Sequence, residues 1–340
     1  MTRIVQRMEH RQVPLYLAAI GVGALTGWWA PAVAPALSVA ITPVLALLLF
    51  ATFLGVPLGN LGRSVLDLRF LGAVLGVNFL VVPVIVFGLS RFVADDRALL
   101  FGVLLVLLTP CVDYVIVFTG LAGGARDRLL AVTPLLMLLQ IVLLPVYLLL
   151  LAGPDAVSLI DAGPFLEAFL LLIVLPLLGA AVVQALRRRA SGHPDGRVVL
   201  AGRVASVIEA TMQALMVPLM IVTLAVVVGS QIAAVGAEAA ALFALIPIYL
   251  AFLVIMVAVG IGAARLSRLD VPAARALMFS GATRNSLVVL PLALAVPPAL
   301  NLAPLAVVTQ TFVELVGMVL LLRLVPKVLP HALPATDRPR

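Results

Sequence analysis

Cys111 is the one cysteine of this 340-residue chain. It stands directly after Pro110 in "TPCVDYVIVFTGLAGG", residues 109–124, an otherwise apolar stretch that also holds Asp113 and a glycine-rich exit. A thiolate is a soft ligand and a nucleophile. A lone thiol excludes an intramolecular disulfide and any multi-cysteine metal site, so no metal centre is expected. Glu314 is a second candidate. It lies about a dozen residues from either end of an apolar segment, where an ionised carboxylate costs roughly 2.5 kcal/mol or more. Such an acid must be protonated, paired or wet, which suits proton or cation handling; its plainer role is a hydrogen bond to another helix. Arg284 and Asn285 sit in "SGATRNSLVVLPLALAVP", residues 280–297. Asn78 and Gln140 are amides inside apolar runs, fit either to bind a solute or to bond neighbouring helices. The sequence holds no HExxH, GxSxG or Walker A pattern, and no GxGxxG in a strand–helix context. Neither an enzyme nor a cofactor is expected.

What must position these residues is a membrane bundle. The chain is 64% hydrophobic and 11% charged, with a mean hydropathy of +1.26. A soluble domain cannot hide that much apolar surface. With roughly 20 apolar residues needed per crossing, ten spans are expected, near 13–30, 37–57, 69–90, 99–122, 129–152, 164–186, 203–230, 240–262, 273–297 and 301–325. The first follows Arg3, Arg7 and Arg11 and lacks an A-x-A-like cleavage site before the next span, so it reads as a retained helix, with a removable signal as the minority reading. The net charge of +7 is topology information, with no nucleic-acid partner implied. With the N-terminus in the cytoplasm, every Lys and Arg except Arg91, Arg97 and Arg284 falls on or near the cytoplasmic side. That is the positive-inside pattern, with both termini cytoplasmic and the lipid bilayer as the chief partner.

The halves of the chain resemble one another. "VTPLLMLLQIVLLP" (132–145) and "VTQTFVELVGMVLL" (308–321) align on Val-Thr and on a polar residue within the span, and each follows an interrupted helix. Five spans per copy would invert the second copy. The expected fold is therefore all-α, with ten transmembrane helices in two inverted five-helix repeats, 13–152 and 153–325, between cytoplasmic tails 1–12 and 326–340. Helices four and nine are broken, and in such folds the breaks line the site. Pro110 has no N–H for the carbonyl of Val106, and Pro291 denies one to Leu287. Gly281, Thr283, Asn285 and Ser286 weaken the second helix further. Asp113 and Arg284, one per repeat, are expected to pair if the breaks cross. In a regular helix Asp113 would face away from Cys111.

"CVDYVIVFTGLAGG" resembles the fourth-span signature of the arsenite efflux permeases, in the bile acid/sodium symporter superfamily. The likeness extends to Asn78 and Pro83 in "NFLVVP", to Gln140 with Pro145, and to Glu314. It implies a plasma-membrane secondary transporter with a small-molecule substrate. That substrate would be arsenite or a related trivalent metalloid, exported by cation exchange. Cys111 is the soft ligand, Asn78, Gln140, Arg284, Asn285 and Glu314 line the site, and H+ or Na+ is the coupling ion. The superfamily's other branch implies sodium-coupled uptake of a small organic anion, for which Arg284 would supply positive charge.

Overall fold

The computed structural model describes Met8, residues 12–55, 67–112, 114–153, Glu167, and residues 170–190, 196–294 and 296–329. Regular structure among them is helical. In chain order it comprises α1 (Gln12–Trp29), α2 (Ala34–Gly55), α3 (Leu68–Gly76), a π turn (Val77–Val81), α4 (Val82–Ser90), α5 (Arg97–Leu107), α6 (Tyr114–Leu121), α7 (Arg126–Ala152), α8 (Leu175–Ala190), α9 (Gly196–Ala237), α10 (Ala239–Phe243), α11 (Leu245–Leu266), α12 (Val271–Ala282), α13 (Ser286–Leu294) and α14 (Ala303–Val328). Among the described residues, six helical stretches are long and apolar enough to cross a membrane: Pro31–Gly55, Leu68–Val93, Arg126–Ala152, Val199–Ile232, Leu245–Leu266 and Ala303–Val328. The chain is thus a polytopic helical membrane protein.

Two compact units form, and each draws on both halves of the chain. Unit 1 takes Met1–Gly59, Ile160–Leu242 and Leu290–Leu305. In it α1 and α2 pack along α9, and α8 packs on α2 and α9. Small residues permit the closest approach. A Cβ on Gly23 would lie 2.5 Å from the Ala225 carbonyl oxygen, and one on Gly27 would overlap the Gly229 carbonyl and the Ile232 side chain. Lipid tails are as apolar as leucine, so helices in a bilayer gain from such backbone contact rather than from hiding apolar surface. Gln184 ties α8 to the end of α2 by donating to the Phe53 and Leu54 carbonyls at 3.3 and 3.2 Å.

Unit 2 takes Asn60–Leu159, Phe243–Val289 and Ala306–Arg340. Here α12 packs against α11, α6, α3 and α7, and α5 against α7 and α4. Carboxylates start two of its helices. Asp67 accepts from the Phe70 N–H at the head of α3, and Asp96 accepts from Ala98 and Leu99 at the head of α5. Such caps satisfy amides that a helix leaves unpaired at its first turn.

Candidate functional site

The first break follows from Pro110. Helix α5 ends at Leu107, and the Val106 carbonyl that Pro110 cannot bond takes the Thr109 hydroxyl instead, at 2.9 Å. Cys111 and Val112 are not helical. The chain turns helical again at Tyr114, and α6 closes on its glycines. Gly123, at φ +68°, donates to Gly120, while Gly124 donates to Thr119 at 2.8 Å. This pair of bonds is a Schellman cap, and it explains the glycine-rich exit. Because Cys111 is not on a regular helix, the angular separation expected between it and Asp113 does not apply. Asp113 itself lies outside the described residues.

The second break falls earlier than Pro291. Helix α12 ends at Ala282, and Thr283 is extended. Helix α13 starts at Ser286 and runs through Pro291 to Leu294. The expectation that Pro291 breaks this span is therefore corrected. One missing N–H costs a single intrahelical bond, whereas the Thr283–Asn285 backbone has partners elsewhere.

Those partners are the first break. Pro110 and Arg284 form an isolated antiparallel bridge. Cys111 donates its N–H to the Thr283 carbonyl at 3.3 Å, and Asn285 donates to Thr109 at 2.9 Å. Two interrupted helices thus cross at their interruptions and satisfy each other's backbone. Backbone at membrane depth is tolerated only with such internal partners or against a wet cavity.

Arg284 occupies this crossing and is fully buried. Its Nη2 donates to Asn78 Oδ1 at 2.9 Å, to the Ser280 carbonyl at 2.9 Å and to the Gly281 carbonyl at 2.6 Å. Its Nη1 reaches the Leu107 carbonyl at 3.4 Å, and its guanidinium carbon lies 5.3 Å from the centre of the Phe252 ring. An arginine at a helix centre costs about 2.5–3.5 kcal/mol on insertion scales. A hydrogen bond to a charged group returns about 1.5–3 kcal/mol, and the two N–H groups of Nη2, shared among these three oxygens, offset that cost. The cation also sits where α5 and α12 end, at the negative ends of both helix dipoles.

Asn78 is brought to the same place with the help of Pro83, five residues on in the sequence. Pro83 leaves the Phe79 carbonyl without its usual donor, the helix opens into the π turn that contains Asn78, and the Tyr147 hydroxyl takes the Phe79 carbonyl at 2.6 Å. The Asn78 amide nitrogen donates to the Val74 carbonyl and to Ser280 Oγ, both at 3.0 Å, which turns its oxygen toward Arg284.

Glu314 is buried on α14. Its Oε2 accepts from the Arg284 backbone N–H at 2.7 Å and from Gln310 Nε2 at 2.5 Å. The acid and the arginine therefore meet the crossing through opposite ends of one residue. Cys111 is likewise buried in the crossing. Elsewhere in unit 2, several buried polar atoms have no hydrogen-bond partner among the described residues: Asn285 Nδ2, Ser286 Oγ, Thr119 Oγ1 and Gln310 Oε1. Gln140 is buried on α7 with an unsatisfied Oε1, and no hydrogen bond joins it to this group among the described residues. Thr109 and Ser280 were missed in the sequence, where they read as ordinary small polar residues. So was Arg275, whose guanidinium holds the Ala122 carbonyl at 2.8 Å and the Leu329 carbonyl at 2.7 Å.

The chain matches the model of the sodium bile acid symporter family over residues 42–238, which include Asn78, Pro110, Cys111 and Gln140 and end before Arg284 and Glu314. No curated protein matches it. With more than half of its length matched and with apolar helices long enough to span a bilayer, the chain belongs to the sodium bile acid symporter family and is a membrane transporter, not an enzyme.

Proposed function

We propose that this transporter exports arsenite or a related trivalent metalloid across the plasma membrane in exchange for a cation, the proton. The observation that carries the reading is the buried thiol of Cys111 beside the backbone pairing of two broken helices. A thiolate is a soft ligand suited to a thiophilic metalloid, and a single one holds the solute without trapping it. Asn285 and Ser286, with unsatisfied buried polar atoms, offer hydrogen bonds to the hydroxyls of a metalloid oxyacid. A buried unsatisfied group costs about 1–3 kcal/mol, a cost that substrate binding relieves. Asn78 acts through Arg284, and Gln140 through its open Oε1. Glu314 carries the proton: one charge moved through 100 mV is worth about 2.3 kcal/mol, enough to drive a neutral solute uphill.

The proposal includes ten spans in two inverted repeats with both termini cytoplasmic. Its support is the parallel between α5, α6 and α7 on one side and α12, α13 and α14 on the other, where each pair of half-helices precedes one long helix of 27 or 26 residues. The other branch of the family would use Arg284 to bind an organic anion. Its guanidinium is engaged by carbonyl oxygens, which favours a structural role.

Replacing Cys111 by alanine tests the reading. Cells with Cys111→Ala at wild-type membrane levels should be as sensitive to arsenite as cells with an empty vector. Resistance that persists would remove the thiol from the mechanism.

A further inference from the structure

The oxygen atoms around the Arg284 guanidinium are those that would hold a metal cation. The Leu107 carbonyl comes from the end of α5, the Ser280 and Gly281 carbonyls from the end of α12, and Oδ1 from Asn78. All are neutral hard oxygens. Carbonyl dipoles of this kind select alkali cations, whereas small dications want carboxylates and bound water. The C-terminal ends of interrupted helices are where membrane carriers coordinate a coupling ion, and each end bears about half a negative charge. The Phe252 face adds a further surface attractive to a cation.

The cage is also built without the arginine. Asn78 is oriented by the Val74 carbonyl and Ser280 Oγ. The turn at Thr283 is fixed by its hydroxyl, which donates to the Phe279 carbonyl at 2.7 Å, and by the bond from Cys111. None of these contacts uses the guanidinium.

We propose that the Arg284 side chain is a tethered cation filling a monovalent-cation site made by the α5 and α12 carbonyls with Asn78, and that removing it opens the site to sodium. A covalently held charge cannot be released on the far side of the membrane. This position therefore contributes a fixed charge, and any exchangeable ion is handled elsewhere, with Glu314 the adjacent titratable group. The proposal holds for any transported solute, so its test uses none.

The purified full-length protein is melted in NaCl, KCl and choline chloride at equal ionic strength. Wild type should melt at the same temperature in all three. Arg284→Ala should melt lower in choline and recover by roughly 5 °C or more in NaCl, because a ligand bound only to the folded state raises its stability by mass action. Arg284→Lys, which keeps a tethered charge, should stay insensitive to sodium. A folded Arg284→Ala protein that ignores sodium overturns the proposal. So does a sodium-specific rise in wild type that Asn78→Ala abolishes. If Arg284→Ala is lost in choline, purification in NaCl supplies the comparison: recovery only with sodium supports the site, and loss in both salts together with a sodium requirement of wild type overturns it.

Discussion

Units 1 and 2 are made of similarly apolar helices, yet they bury different things. Among the described residues, the buried polar side chains of unit 1 are Thr52, Gln184 and Thr223; all the others, from Asn78 to Glu314, belong to unit 2. The prolines differ in the same way. Pro43 and Pro218 lie inside continuous helices of unit 1, while Pro110 interrupts one in unit 2. Even in unit 2, Pro134 and Pro145 leave α7 unbroken. A proline by itself therefore does not open a membrane helix. The opening persists where a second chain segment accepts the freed backbone groups, as 283–285 does for 109–111. Both units pack closely at glycines, but unit 2 adds to its packing the buried polar bonds of the crossing.

That contrast is breakable at its packing end first. Gly27→Leu should have the largest effect, because the added side chain meets the backbone of Gly229 as well as the Ile232 side chain, and the backbone cannot swing aside. Overpacking costs about 1–3 kcal/mol and more where the backbone must yield. The expected outcome is a severe loss of folded protein, read by the monodisperse fraction after detergent extraction. A normal yield would show that the close α1–α9 approach is dispensable. At the polar end, Glu314→Gln should be milder for folding, since the amide oxygen still accepts from the Arg284 N–H. Solute counterflow should survive in inverted vesicles while accumulation driven by a proton gradient fails. Full gradient-driven accumulation by this variant would place the coupling group elsewhere.

Much of this arrangement was legible in the sequence because it depends on local chemistry. Apolar run lengths pointed to a helical membrane protein, in which six stretches among the described residues are long and apolar enough to cross a bilayer, and Pro110 marked one break. A mid-span acid announced that Glu314 would need partners, and its bond from Gln310 is the i, i+4 relation visible on any helix. What stayed hidden depends on contacts between distant segments. Pro291 looked like the second break, because nothing local shows that Thr283–Asn285 has a partner in Thr109–Cys111. The carbonyls of α5 and α12 that hold Arg284 were not legible, because they come together only in the fold; the expected pair with Asp113 falls outside the described residues. Asn78 and Ser280 are 202 positions apart, and no periodicity connects them. The π turn at Asn78 had a signal in Pro83, but the Tyr147 hydroxyl that completes it had none.

The central claim is that the solute binds the thiol at the crossing, and the arsenic X-ray absorption edge of purified protein loaded with arsenite tests it most directly. The chain has one cysteine, so any protein sulfur thiolate on arsenic is Cys111. The account predicts a first shell of oxygen with one sulfur in wild type, and oxygen alone in Cys111→Ala. An all-oxygen shell around arsenic bound to the wild-type protein would contradict it.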